Sequence, residues 1–134
     1  MTLILGRKRG MTQLFRDDGT LFGVTVVEAG PCVVAQVRTK ALDGYDAVQL
    51  GFEDIAERLV AKPQRGHFKK GGTAAKRFLR EERLSEPAKL AVGDVVKCDV
   101  FQEGQFVDVV GTTKGRGFAG TIKRHGFHRG PMTH

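Results

Sequence analysis

"LFGVTVVEAGPCVVAQV", residues 21–37, is the longest weakly charged run in the chain, and its reading decides the fold. A membrane-spanning helix needs about 20 consecutive apolar residues with few or no charges. This run holds Glu28 and Gln36 and is interrupted by Gly30-Pro31, a pair that marks a turn. It therefore reads as two strands, 21–29 and 32–38, on either side of that turn. Upstream, "MTQLF" (11–15) is joined to the first of them by Arg16-Asp17-Asp18-Gly19, a good hairpin connection. Downstream, "YDAVQLGF" (45–52) follows a turn at Leu42-Asp43-Gly44. "EDIAERLV" (53–60) fits a helical turn or a strand equally. "AAKRFLREER" (74–83) is the best helix candidate, with Thr73 as N-cap and Phe78 and Leu79 as a small apolar face. In "DVVKCDVF" (94–101), Val96, Cys98 and Val100 face one way and Lys97 and Asp99 the other. Glu103-Gly104-Gln105 then turns into "FVDVVG" (106–111). Many short strands with glycine-containing turns predict a mainly β fold, a small antiparallel barrel or sandwich. The 134 residues suit one domain.

The charge is distributed unevenly. Net charge is +7 with a pI near 9.8, which points to a polyanionic partner. Arg7, Lys8 and Arg9 form one basic cluster. Residues 62–83 hold eight basic side chains against two acidic, and residues 111–134 hold five against none. The rest holds six basic and thirteen acidic residues, so the basicity belongs to three segments mounted on a mildly acidic body. "KPQRGHFKKGGTAAK" (62–76) and the closing segment have too few apolar residues to offset their ordering entropy. Both are expected to be loops or arms that order on a partner.

Cys32 and Cys98 each lie in a strand-like run and are expected as buried free thiols. The start, MTLILGRKRG, carries no secretory signal, which with the absent membrane span suggests a cytosolic protein. Gly115-Arg116-Gly117-Phe118-Ala119-Gly120 matches G-x-G-x-x-G and follows a predicted strand. Only TIKRH separates Gly120 from Gly126, too short for a full helix to present its N-terminus to a pyrophosphate. No acidic residue follows for a ribose hydroxyl. The glycines instead suit close backbone approach to phosphates. Lys114, Arg116, Lys123, Arg124 and Arg129 would supply charge, with arginine the better bidentate partner. Phe118 and Phe127 are candidates for stacking on unpaired bases, against simple packing on their own domain. His125, His128 and His134 have poor metal-ligand spacing beside Arg124 and Arg129, and no Cys-x-x-Cys pair exists, so neither a metal nor another cofactor is expected. These histidines suit hydrogen-bonding or stacking contacts to RNA better, and His67, in Gly66-His67-Phe68-Lys69-Lys70, reads the same way. Ser85 has no nucleophile frame around it, and no pairing of nucleophile with base points to an enzyme.

These residues also carry a family resemblance. "FQEGQFVDVVGTTKGRGFAGTIKR" (101–124) resembles the defining motif of the large-subunit ribosomal protein L-three family, bacterial type, through Phe101, Asp108, Gly111, Thr113, Gly115-Arg116-Gly117, Gly120 and Arg124. "HGFHRGPMTH" continues in the family's manner, "KPQRGHFKKGG" and "KRFLREER" resemble its basic insertion, and "GRKRGMTQLF" its opening. Arg9 departs, standing where the family usually has an apolar residue. The resemblance implies a Greek-key, translation-protein-like β-barrel with a basic insertion containing one short helix, and an extended basic arm. It further implies binding to 23S-type large-subunit rRNA, support of early subunit assembly, an arm directed toward the peptidyl transferase centre, and neighbouring ribosomal proteins as partners. It places the protein in cytoplasmic ribosomes, with no membrane and no small-molecule substrate. In the family the arm continues past the position of His134, so the chain is expected to be truncated there. The expected division is a barrel over 1–112, with the insertion at about 62–84, and the beginning of the arm over 113–134. Expected rRNA-binding residues are Arg7, Lys8, Arg9, Lys62, Arg65, His67, Lys69, Lys70, Lys76, Arg77, Lys114, Gly115, Arg116, Gly117, Lys123, Arg124, His125, His128 and Arg129. Two alternatives remain open: a nucleotide-binding enzyme using Gly115–Gly120, and a general basic RNA chaperone.

Overall fold

The computed structural model describes residues 3–133; the expected contributions of the first two residues and of His134 lie outside the described residues. The chain forms two compact units, Met1–Glu103 and Gly104–His134. The first begins with strands β1 (Gly6–Phe15) and β2 (Leu21–Ala29), paired antiparallel as a ribbon. Arg16–Gly19 makes the expected turn. Gly19, at φ +80°, donates its N–H to the Arg16 carbonyl at 2.9 Å, and the Thr20 N–H reaches the Asp18 carboxylate at 2.8 Å. That amide holds the Asp18 carboxyl below its usual range. The register shifts between Lys8 and Gly10, so Arg9 lies on a bulge.

The second sheet carries the core. Strand β3 (Cys32–Arg38) pairs with β4 (Ala47–Asp54), which pairs in turn with β5 (Lys76–Arg83), while β6 (Val95–Val96) borders β3. All neighbours are antiparallel. One apolar cluster contains Cys32, Val34, Val48, Leu50, Phe52 and Val96, with Ile4, Leu5, Leu84 and Leu90 packed against it. A second contains Ala35, Val60, Phe68 and Ala75. Helix α1 (Lys40–Asp43) joins β3 to β4, and α2 (Lys62–Gly71) contributes the buried Phe68. Gly71 permits a close approach, since a Cβ there would meet the Ala35 carbonyl at 2.8 Å. The class is mainly β, as expected, but the described strands form two separate sheets and no closed barrel.

Several local expectations are corrected. Residues 76–83 are a strand, and the helix lies at 62–71, inside the segment read as coreless. Pairing of Phe78 with Phe52 and Leu79 with Gly51 overrides the helix propensity of the Lys, Arg and Glu residues. Their charges suit an edge strand, where they discourage further pairing. Thr73 follows the α2 cap Gly72, and its hydroxyl is buried without a partner. The 94–101 strand is limited to Val95–Val96, because its partner β3 begins immediately after Pro31, which lacks an N–H for the ladder. A 3-10 turn at Cys98–Val100 follows, so Cys98 is exposed rather than buried. Residues 106–111 form no strand: with no described edge beside them, Phe106 and Val110 are fully exposed.

Polar contacts tie β3, β4, β5 and α2 together. The Glu81 carboxylate accepts hydrogen bonds from Arg38 Nε (2.9 Å), Tyr45 Oη (3.0 Å) and Gln49 Nε2 (3.1 Å). Gln49 Oε1 lies 2.6 Å from His67 Nε2. The Arg38 and Arg83 guanidiniums lie 5.7 and 4.8 Å from the Tyr45 ring centre. Burial pushes the Glu81 carboxyl up, but the hydrogen bonds from Arg38, Tyr45 and Gln49 and the Arg38 charge outweigh it, and the net shift is downward. A carboxylate depressed below its usual 4.5 contributes stability above that pH and loses it as pH falls through the folded value. Glu81→Gln should therefore lower the thermal midpoint by a few degrees at pH 7. The gap from the unsubstituted chain should close under acid, which calorimetry across pH 3–7 checks.

The two thiols provide a second test. Cys32 is fully buried with Sγ 3.5 Å from the Leu5 carbonyl, and burial raises its pKa. A thiol reagent should label Cys98 promptly and Cys32 only on unfolding. Prompt labelling of both, read by mass spectrometry, would contradict the packing of β3.

Candidate nucleic-acid interface

The three basic segments adopt three different arrangements. In α2, Lys62, Arg65 and Lys69 recur at helical spacing along one side. Lys69 and Lys70 also lie in the last turn, where cations oppose the negative helix end. Lys62, Lys69 and Lys70 are exposed. Arg65 donates Nε to the Val60 carbonyl at 2.8 Å, and His67 is turned inward to Gln49 and lies edge-on to Phe68. The segment thus presents lysines outward while Arg65 and His67 secure it to the fold.

On the ribbon and β5, cations are matched by acids. Arg7 Nη1 lies 3.0 Å from Glu53 Oε1, and Arg9 forms an ion pair with Glu28. Arg77 Nη1 is 3.7 Å from Glu53 Oε2. Lys76 donates to Asp54 at 2.7 Å, and its side chain is only 11% exposed. Lys76 therefore acts mainly within the fold, whereas Arg7, Arg9 and Arg77 keep more than half of their side-chain surface in solvent. Lys8 is exposed on β1.

The third arrangement lies within the second unit. Thr113, Lys114, Gly115, Arg116, Gly117, Ala119, Lys123 and Arg124 line a concavity of about 430 Å³. No carboxylate lines it. Gly117, at φ +71°, takes a backbone conformation that side-chain-bearing residues rarely adopt. The five-residue helix α3 (Thr121–His125) then carries Lys123, Arg124 and His125. The His125 and Phe127 rings are 5.7 Å apart, and Phe118 is fully exposed. Arg129 Nη2 is 2.7 Å from Met132 Sδ, and His128 is exposed. No strand leads directly into Gly115, which removes the one contextual feature that had matched a dinucleotide fingerprint.

Four cations at one concavity without a counter-charge can bind an anion; a glycine-lined wall lets a sugar-phosphate chain approach closely. Charge composition pointed to this site. Glu53 and Glu81, which organise the arginines of the body, left no such signal, because their partners are 24 to 46 residues away in sequence.

The chain is also similar to known proteins. Residues 66–134 match the family model "Ribosomal protein L3". Over 131 residues, 98% of the chain, 56% are identical to the large ribosomal subunit protein uL3 of Heliobacterium modesticaldum. Identity to the protein of the same name from Herpetosiphon aurantiacus is 59% over 98% of the chain. With that from Carboxydothermus hydrogenoformans it is 56%, also over 98%. The chain spans 62%, 61% and 63% of the lengths of these relatives.

The burial pattern sets an order for proteolysis. Trypsin should cut first at Lys114, Arg116, Lys123, Arg124 and Arg129, and later at Arg65, Lys69 and Lys70, which α2 holds through Phe68. Equal early cleavage in both segments, seen in a time course, would mean that α2 is not anchored.

Proposed function

From the premise that this chain belongs to the ribosomal protein L3 family, we propose that it is a non-enzymatic structural constituent of the large ribosomal subunit. It binds large-subunit, 23S-type rRNA in cytoplasmic ribosomes beside neighbouring ribosomal proteins. Among the described residues no helix is long and apolar enough to cross a membrane. The compact unit Met1–Glu103 is the mount, and residues 113–134 begin the RNA-facing arm. The single observation that carries this reading is the concavity lined by Lys114, Arg116, Lys123 and Arg124 with no acidic residue.

The mechanism is electrostatic. Cationic side chains displace condensed counterions from phosphates, and affinity then falls linearly on a log–log scale with salt. Such contacts fix register and orientation without reading sequence. Exposed Phe118 and Phe127 can stack on unpaired bases. The outward lysines of α2 supply a second contact, and Gly115 and Gly117 allow close backbone approach. Early assembly is a reasonable role for such a protein, because a folded mount with a cationic arm can hold RNA segments together before the particle is complete. Direction of the arm toward the peptidyl transferase centre rests on the family resemblance.

Replacing Lys114, Arg116, Lys123, Arg124 and Arg129 together by Gln tests this. The salt slope of binding to a bacterial large-subunit rRNA transcript should shrink by up to about four, at roughly 0.7–0.9 per phosphate contact. Circular dichroism of the body should not change. An unaltered slope removes the arm from the interface.

A further inference from the structure

Glu53 alone among the described non-glycine residues has a positive φ, +57°. This backbone conformation is uncommon outside glycine, and such outliers are a reason to look for function. Glu53 lies between the paired positions Phe52↔Phe78 and Asp54↔Lys76 near the end of β4. Its side chain is 21% exposed and meets two arginines from different sheets, Arg7 on the ribbon and Arg77 on β5. Each guanidinium has five N–H donors in a rigid fork. The contact to Glu53 is through a single Nη1 in each case, at 3.0 and 3.7 Å, and the arginine side chains are 57% and 51% exposed. The carboxylate therefore gathers two forks while more than half of each arginine side chain stays in solvent.

The local charge is simple. Arg7, Arg77 and Glu53 sum to +1. The neighbouring pairs Arg9–Glu28 and Lys76–Asp54 are each neutral. A single phosphodiester carries −1 and offers two non-bridging oxygens, which match two converging guanidiniums. Arginines already held in position lose less rotamer freedom on binding than free ones.

We propose that Arg7 and Arg77, held together by Glu53, form a clamp for one backbone phosphate of RNA, separate from the arm. The clamp rests on the RNA-binding reading above. It assigns two residues of the body to one shared contact rather than to two.

Salt dependence counts phosphates and so tests the sharing. The full 134-residue chain and its Arg7→Gln, Arg77→Gln and doubly substituted variants are titrated with a bacterial large-subunit rRNA transcript at several salt concentrations. With one shared phosphate, the double variant loses a single step of about 0.7–0.9 of slope, each single variant loses no more than that step, and the two losses do not add. Two steps in the double variant, or none, overturns the clamp; no effect in the double would leave the arginines to an acidic protein partner. A flat salt response in the unsubstituted chain overturns the RNA reading and the clamp together. A steep response that the double variant leaves intact overturns the clamp alone. If the double Gln variant does not fold, Arg7→Lys with Arg77→Lys decides: it keeps the charge but loses the fork, so slope should hold while affinity falls severalfold. Unchanged affinity there would also overturn the proposal.

Discussion

The body depends on β4, residues Ala47–Asp54. It is the strand that pairs on both sides with long partners, β3 and β5. Val48, Leu50 and Phe52 fill one apolar cluster, while the polar or small Gln49 and Gly51 alternate with them. A one-residue slip would exchange these sets and expose the core. Register along β4 therefore also fixes where Glu53 sits relative to Arg77 and where Gln49 meets Glu81 and His67.

The second organising constraint is counter-charge. Five acidic residues of the body have basic partners: Glu28 with Arg9, Glu53 with Arg7 and Arg77, Asp54 with Lys76, and Glu81 and Asp43 with Arg38. These pairs are partly solvated, and each contributes little to stability by itself. Their main effect is geometric, because they hold forked donors in defined places. The segment from 111 to 134 has no acid at all, so none of its cations can be neutralised from within it. One chain thus presents fixed cations and uncompensated cations side by side in sequence.

Local chemistry made part of this legible. The Arg16–Gly19 turn, both strands around Gly30-Pro31 and most of β4 were readable because turn residues and β-branched runs act over a few positions. The acid-free cationic stretch 111–134 was readable because charge and glycine content need no partner to be recognised. Residues 76–83 were not, since Lys, Arg and Glu favour a helix until an edge of β4 is available to pair with. Residues 94–101 alternate and 106–111 are an apolar run after a turn, but such a pattern makes a strand only where a neighbouring edge has free N–H and C=O groups. Pro31 ends that supply for β6, and the exposed Cys98 follows from it. Glu53 was invisible because nothing in a linear pattern signals a left-handed glutamate.

The β1–β2 ribbon has its own consequence. Met11, Leu14, Phe15, Leu21, Val26 and Val27 are all exposed along it, and a two-stranded ribbon has an open edge on each side. Oily surface combined with unpaired backbone is the usual recipe for self-association. In concentrated solution the free polypeptide should cluster through this ribbon, whereas its repelling positive charges work against clustering. Solubility of the isolated material is therefore a contest between stickiness at one end of the chain and mutual repulsion at the other, and added salt, which screens only the repulsion, tips it toward precipitation.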